Sequence, residues 1–191
     1  MPKISAESLG EHRAQVQQRI FDAFSQLMSE HSFDAISMAQ IAARAGLGRT
    51  AIYHHFPDRE AVVVAFASHE TNKYIERLTE NLAVADDPVE KMRRYVRHNL
   101  ETGEQFHVGL APKLYGHLSP QSLAAIREHV IAIELVLAEI LRSGLASGQF
   151  TYADEAATMT LVHACLGPRH LPHEVTEDFL LRALGAPTAA G

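Results

Sequence analysis

The sequence predicts an all-α chain: a three-helix head carrying a helix-turn-helix, residues 1–60, on a larger helical body, residues 61–191. Three observations predict it. Apolar residues recur at steps of three and four along most of the chain, the period of a helix packed on one side, and no strand pattern is visible. The breaks between these stretches hold the Gly, Pro, Asp and Ser residues that end and start helices. The segment Ser37 to Glu60, SMAQIAARAGLGRTAIYHHFPDRE, reads as two short helices around a glycine turn, with a third beginning.

Composition sets the outer limits. With 191 residues, 47% of them hydrophobic, the chain can bury a sizeable core and need not exceed two domains. Aromatics make up 7% and there is no tryptophan, so the core is mostly aliphatic. No apolar run approaches the roughly 20 residues of a membrane span, and the N-terminus lacks the charged-then-apolar pattern of a secretory leader. Cys165 is the only cysteine, which excludes an intrachain disulfide. The expectation is a soluble, cytoplasmic protein. The net charge of −6 is unevenly held: residues 1–60 carry six Lys and Arg against seven Asp and Glu, residues 61–191 eleven against sixteen. Charge alone does not suggest a nucleic-acid partner, and any cationic surface on the head must come from clustering in space.

In order along the chain, residues 1–11 read as a frayed arm. A helix follows from about His12 to Glu30, with Val16, Ile20, Phe24, Leu27 and Met28 on one stripe. Ser37 is placed to N-cap the next helix, and Gln40 three residues on completes a capping box. Met38, Ile41 and Ala42 give that helix one apolar face. Gly46 supplies the left-handed conformation that a helix C-terminus favours. The second short helix opens at Gly48 or Arg49, runs to about Phe56 and is stopped by Pro57. Ile52 and Phe56 face inward, while Arg49, Thr50, Tyr53 and His54 share another face. Asp58 caps a fourth helix running to about Ala83, with Arg59 in a first turn whose dipole disfavours a cation. After a polar break at 84–88, a helix over about 88–106 carries Val89, Met92, Val96, Leu100 and Gly103. Gly109 and Pro112 interrupt a shorter helical piece ending near Leu118. Ser119-Pro120 then caps a long helix, about 120–147, striped by Leu123, Ile126, Val130, Ile133, Leu137 and Ile140. Glu134 and Glu139 read as its solvated or ion-paired edge. Residues 153–167 form a nearly all-apolar helix, and a last helix, about 174–184, carries Val175, Phe179, Leu180 and Leu184.

The string Gly46 to Glu60, extended back through Arg19-Ile20, Phe33 and Ile36-Ser37-Met38, resembles the DNA-binding signature of the tetracycline-repressor (TetR) family of bacterial regulators. It covers about the first third of the chain. Two positions depart from the pattern: Ser32 stands where glycine usually precedes the aromatic, and Gly48 where serine or threonine commonly caps the recognition helix. The resemblance implies a ligand-responsive transcriptional regulator, by family default a repressor, that binds a palindromic operator as a homodimer and is released by a small-molecule inducer. It gives base-reading roles to Arg49, Thr50 and Tyr53, and phosphate contacts to Ser37, His54, His55 and Arg59. For Tyr53 two uses stay open, the ring on a thymine methyl or the hydroxyl on a phosphate. The resemblance further implies a ligand-binding and dimerisation body, pairing through residues 153–184. Its inducer would lie among the middle helices, where polar groups on apolar stripes are the candidates: Tyr95, Asn99, Tyr115, His117, Met159 and His163. A single helix-turn-helix reads only a few base pairs, which is the physical reason for pairing two on one duplex.

Twelve histidines, with His163, Cys165, His170 and His173 close in sequence, allow an alternative in which the same fold senses zinc or copper. Their spacing matches no standard site, and the first pair sits in an apolar helix. No nucleophile–base–orienter set and no phosphate-cradling glycine loop points to an enzyme, and nothing calls for a cofactor.

Overall fold

The computed structural model describes residues 6–109, 118–167 and 171–186, with side chains from residue 10 onward except at 103–109 and 129–130. Among the described residues every regular element is helical: α1 (Ala6–Glu30), a 3-10 turn (Phe33–Ala35), α2 (Met38–Arg44), α3 (Arg49–Tyr53), α4 (Arg59–Leu82), α5 (Pro88–Gly109), α6 (Pro120–Ala146), α7 (Glu155–Cys165) and α8 (His173–Ala183). By packing, the chain divides into two compact units. The first comprises Met1–His69 with Val108–Ile126, the second Glu70–His107 with Arg127–Gly191. Helices α4 and α6 therefore each give their first part to one unit and the remainder to the other. No described helix is long and apolar enough to cross a membrane.

The first unit is built around α1. Val16, Ile20, Phe24 and Leu27 are buried together with Ile41, Ile52, Phe56, Val62 and Phe66. Each such side chain contributes about 1.5–3 kcal/mol by leaving water. Phe24 meets Phe66 edge-on at 5.3 Å between ring centroids. Helix α1 begins at Ala6, earlier than the arm expected over residues 1–11 allows. Once the packed part of a helix is nucleated, each further residue adds a hydrogen bond at little cost, so no apolar stripe is needed there. The departure at Ser32 also has an answer. Ser32 is extended, at φ −70° and ψ 152°, and opens the 3-10 turn, so no left-handed residue is required and serine is accommodated. Ser119 Oγ caps α6 by accepting from Ser122 N at 3.3 Å. Glu60, in the first turn of α4, accepts from Ser119 N at 3.1 Å and from Ser122 Oγ at 2.7 Å.

The second unit closes on Leu78, Met92, Tyr95, Val96, Leu137, Leu141, Phe150 and Leu181. Helix α7 packs against α8. From α8 the buried Glu177 receives Arg97 at 2.8 and 3.0 Å, with Arg93 at 3.6 Å. The apolar residues of the last helix divide: Leu180 and Leu184 are buried, whereas Val175 and Phe179 are 52% and 58% exposed. Leu161 on α7 is likewise exposed, at 65%. The helix after Pro88 reaches Gly109, past its expected end, and the short piece expected up to Leu118 falls largely outside the described residues.

Near the end of α6 the chain folds back so that the Phe150 ring packs directly against Gly144. A Cβ at Gly144 would sit 1.9 Å from Phe150 Cδ2, with Phe150 itself only 1% exposed and unable to withdraw. Gly144→Ala should therefore destabilise the fold by about 3 kcal/mol, the upper end of the usual overpacking cost. Chemical denaturation would check this, and an unchanged midpoint would contradict the packing described.

Candidate functional site: a nucleic-acid interface and a buried polar centre

The interface is set by how α2 and α3 are held. Ser37 accepts from Gln40 N at 3.3 Å while Gln40 Oε1 accepts from Ser37 N at 2.8 Å, so the expected capping box is formed. Such a cap contributes about 1 kcal/mol. The same hydroxyl donates to Gln40 Oε1 at 2.7 Å, so in the free protein the Ser37 side chain is used within the cap. After α2, Gly46 adopts φ +66°. Arg19 on α1 donates to the carbonyls of Ala45 and Gly46 and closes the C-terminal end of α2. The positive φ is what requires glycine here; a Cβ would also lie 2.8 Å from Arg19 Nη2, which the flexible arginine could relieve by shifting.

Gly48 is extended at φ −65° and ψ 148° and starts α3 without a side-chain cap. Helix α3 ends at Tyr53, shorter than the expected run to Phe56. The next two residues continue as a turn, with Phe56 N donating to Ile52 O at 2.9 Å. The face division expected from sequence is present: Ile52 and Phe56 are buried, whereas Arg49, Thr50, Tyr53 and His54 are exposed. Phe21 holds Phe56 from behind at 5.9 Å between ring centroids. His55 is half-buried, and its Nδ1 is sealed from solvent with no hydrogen-bond partner. Burial, followed by the charges of Arg13, His54 and His12, pushes its imidazole below the ordinary range. The charges of His12 and Arg13 of α1 thus bear on the end of the recognition segment. Two residues spaced this far from the motif leave no local signal.

Arg59 is engaged within the head. Its Nη1 donates to Phe33 O at 2.9 Å and Ile36 O at 2.7 Å, with Asp34 O at 3.4 Å, and the guanidinium lies 4.0 Å over the Phe33 ring. These contacts offset the poor placement of a cation in a helix's first turn. Arg44 is paired in a fork with Glu30, both bonds 2.8 Å, so its charge is neutralised locally.

In the second unit, Tyr95 and His163 meet. Tyr95 is 1% exposed, and its hydroxyl lies 3.2 Å from His163 Nε2. Asn99 Nδ2 donates to Tyr95 O at 2.8 Å, and Met159 packs against the same core. Burial holds His163 below the ordinary imidazole range, with Glu134 partly offsetting it; burial likewise raises the Tyr95 phenol, and Glu134 adds to that. Glu134 is therefore not the simple counterpart of Glu139. Glu139 is exposed, whereas Glu134 is half-buried on the inward stripe that continues through Leu137, Ala138 and Leu141. Its place three, four and seven residues before those side chains was the available signal. Tyr115 and His117 lie outside the described residues. So does His170, and among the described residues no three His, Cys, Asp or Glu side chains converge as a metal site.

Residues 20–66 match the bacterial regulatory proteins of the tetR family, and residues 88–178 match the tetracyclin repressor-like C-terminal domain. The chain belongs to the TetR family. It is 32% identical over 73 residues to the HTH-type transcriptional repressor Rv1474c of Mycobacterium tuberculosis, covering 38% of this chain and 37% of that protein. The TetR chain thus spans little more than a third of that relative's length. Among solved structures, a Saccharomonospora viridis protein in complex with choline superposes with a TM-score of 0.73 at 17% identity, over 90% of this chain and 96% of that one. AibR, in complex with isovaleryl coenzyme A and operator DNA, superposes with a TM-score of 0.70 at 19% identity, over 91% and 100%. At these identities the likeness establishes a TetR fold.

Burial holds His55, His98 and His163 of this TetR chain below the ordinary imidazole range. The unfolded chain takes up protons at these positions near pH 6.5, before the folded chain does. Their contribution is neutral above that pH and becomes a penalty as pH falls through it, so acid favours unfolding. The melting temperature should fall between about pH 7.5 and about pH 5.5, and His98→Gln should fall less. Equal falls in the two proteins would contradict the assignment.

Proposed function

We propose that the chain is a ligand-responsive DNA-binding transcriptional repressor that acts as a homodimer. The observation that carries this reading is the short helix α3, whose inner residues Ile52 and Phe56 are buried while Arg49, Thr50, Tyr53 and His54 stand exposed together. A helix seated in this way offers donors to base edges in a major groove. Arg49, Thr50 and Tyr53 read bases, and His54, His55, Ser37 and Arg59 hold phosphates. In the reading part, residues 1–60, Ser37 would exchange its cap contact for a phosphate, and Arg59 would use nitrogens other than Nη1. Residues 61–191 bind ligand and dimerise. Exposed Leu161, Val175 and Phe179 within residues 153–184 support pairing there, since large apolar side chains at this exposure are what an interface buries. The protein is taken to be cytoplasmic and without catalytic activity.

The second unit supports a ligand site at Tyr95, Asn99, Met159 and His163, a small polar group within an aliphatic core. Structural neighbours were solved with isovaleryl coenzyme A and with choline, an anion and a cation, so this fold accommodates ligands of either charge. Ligand bound there would change the spacing of the two recognition helices through α4. By linkage, operator must weaken ligand by the factor with which ligand weakens operator.

Selection from random duplexes should return a palindrome with half-sites one helical turn or a multiple of it apart. On that duplex Arg49→Ala should cost about 1–3 kcal/mol at one base position and relax its preference. Arg59→Ala should weaken all duplexes alike and also lower the melting temperature, because the Ile36 carbonyl loses a donor and the Phe33 carbonyl keeps only Ile36 N. No enriched duplex at low or moderate salt would overturn the reading. In sedimentation at micromolar concentration the protein should be a dimer and Phe179→Glu a monomer; a monomeric wild type would refute the pairing.

A further inference from the structure

Helix α3 is too short to hold its own direction. It has five residues, and Gly48 starts it without a side-chain cap. A helix shorter than about a dozen residues is marginal by itself, so its course is set by what it is attached to. Burial of Ile52 and Phe56 seats its far part. Its near part hangs on the turn over residues 45–48, where α2 ends and α3 begins.

Two sets of hydrogen bonds close that turn. Its amides are used by α2, with Gly46 N donating to Ala43 O at 3.1 Å and Leu47 N to Ala42 O at 2.8 Å. The carbonyls of Ala45 and Gly46 lie past the last turn of α2, among the groups that a helix end leaves without an internal partner. One nitrogen of α1 takes both: Arg19 Nη2 donates to Ala45 O, and to Gly46 O at 3.0 Å. A guanidinium is also well placed at the negative end of a helix. Arg19 is exposed, so it adds little to the core, yet it reaches from another helix to a carbonyl three residues before Arg49.

We propose that Arg19 is a positioning residue for base reading. By tying α1 to both carbonyls of the turn, it fixes the direction in which α3 leaves α2, and so where Arg49 meets a base edge. This rests on the reading of α3 as the recognition helix. Arg19 touches neither base nor phosphate in this role and acts through Arg49. Without the tie, Ile52 and Phe56 still seat α3, but its first turn is free to pivot about them. Bidentate base contacts need alignment, whereas phosphate contacts carry no sequence information, so the loss falls on discrimination.

A double-mutant cycle tests it, with the full chain bound to the duplex enriched from random sequence and to a scrambled duplex of equal length. Arg19→Met should lower the ratio of the two affinities about tenfold, the loss that a disengaged base contact gives. The scrambled duplex should be bound as by wild type, which also shows that the variant is folded. In the Arg49→Ala background the same substitution should change the ratio by less than about twofold, because the contact it positions is already gone. Arg19→Lys, whose single nitrogen can donate to both carbonyls, should keep the ratio within about threefold of wild type. Equal losses on both duplexes, or losses that multiply in the double variant, make Arg19 a stability residue and overturn the proposal. A log–log salt slope shallower by about one in Arg19→Met makes it a phosphate contact and overturns it likewise. If no duplex enriches with wild type, the recognition-helix reading falls, and this role with it.

Discussion

The start of α4 is the constraint on which the head depends. Two consecutive side chains of opposite charge leave that turn in different directions. Arg59 reaches back to the carbonyls of Phe33 and Ile36, immediately before the Ser37 cap of α2. Glu60 accepts from the first turn of α6, at Ser119 and Ser122. One helical turn therefore fixes where the helix-turn-helix begins and where the long helix α6 begins. The arrangement also resolves an electrostatic difficulty. A carboxylate at a helix N-terminus is favourable and a guanidinium is not, but carbonyl oxygens and the face of Phe33 supply the negative potential that the dipole denies. Helices α4 and α6 both continue into the second unit.

The head's near-neutral charge makes sense once each cation is followed to its partner. Arg44 is neutralised by Glu30, Arg19 closes the end of α2, and Arg59 holds the turn before α2. Arg49 on α3 is exposed, as is Arg13 of α1, which with His12 bears electrostatically on His55 at the end of the same segment. A surface assembled this way gives a small counterion-release contribution and leaves more of the discrimination to base contacts than a strongly basic head would.

The second unit combines an aliphatic core with polar atoms that the core does not satisfy. Natural interiors pair nearly all such atoms, so Thr71 Oγ1 and His98 Nε2 mark a place where packing was not selected for stability alone. His98 is one turn from Tyr95 on α5, and its ring meets that of Tyr74 at 4.9 Å. The ion pairs of buried Glu177 with Arg93 and the half-exposed Arg97 tie α5 to α8.

Local chemistry made much of this legible in advance. The capping box at Ser37, the left-handed Gly46, the buried and exposed faces of α3 and the Asp58 cap, which accepts from Ala61 N at 2.8 Å, all follow from residues within four positions of each other. Helix ends were less legible, at α1 and α3 alike, because they are decided by cooperative propagation and by turns that continue a helix irregularly. The sequence by itself determined the helices, the turn and the segment that presents Arg49, Thr50 and Tyr53, since period and capping act within one element. Only the tertiary structure decided that Arg59 holds carbonyls, that the charges of His12 and Arg13 bear on His55, that Val175 and Phe179 face outward and that Tyr95 meets His163. Each depends on which residue of a distant helix arrives alongside, and no local spacing encodes that.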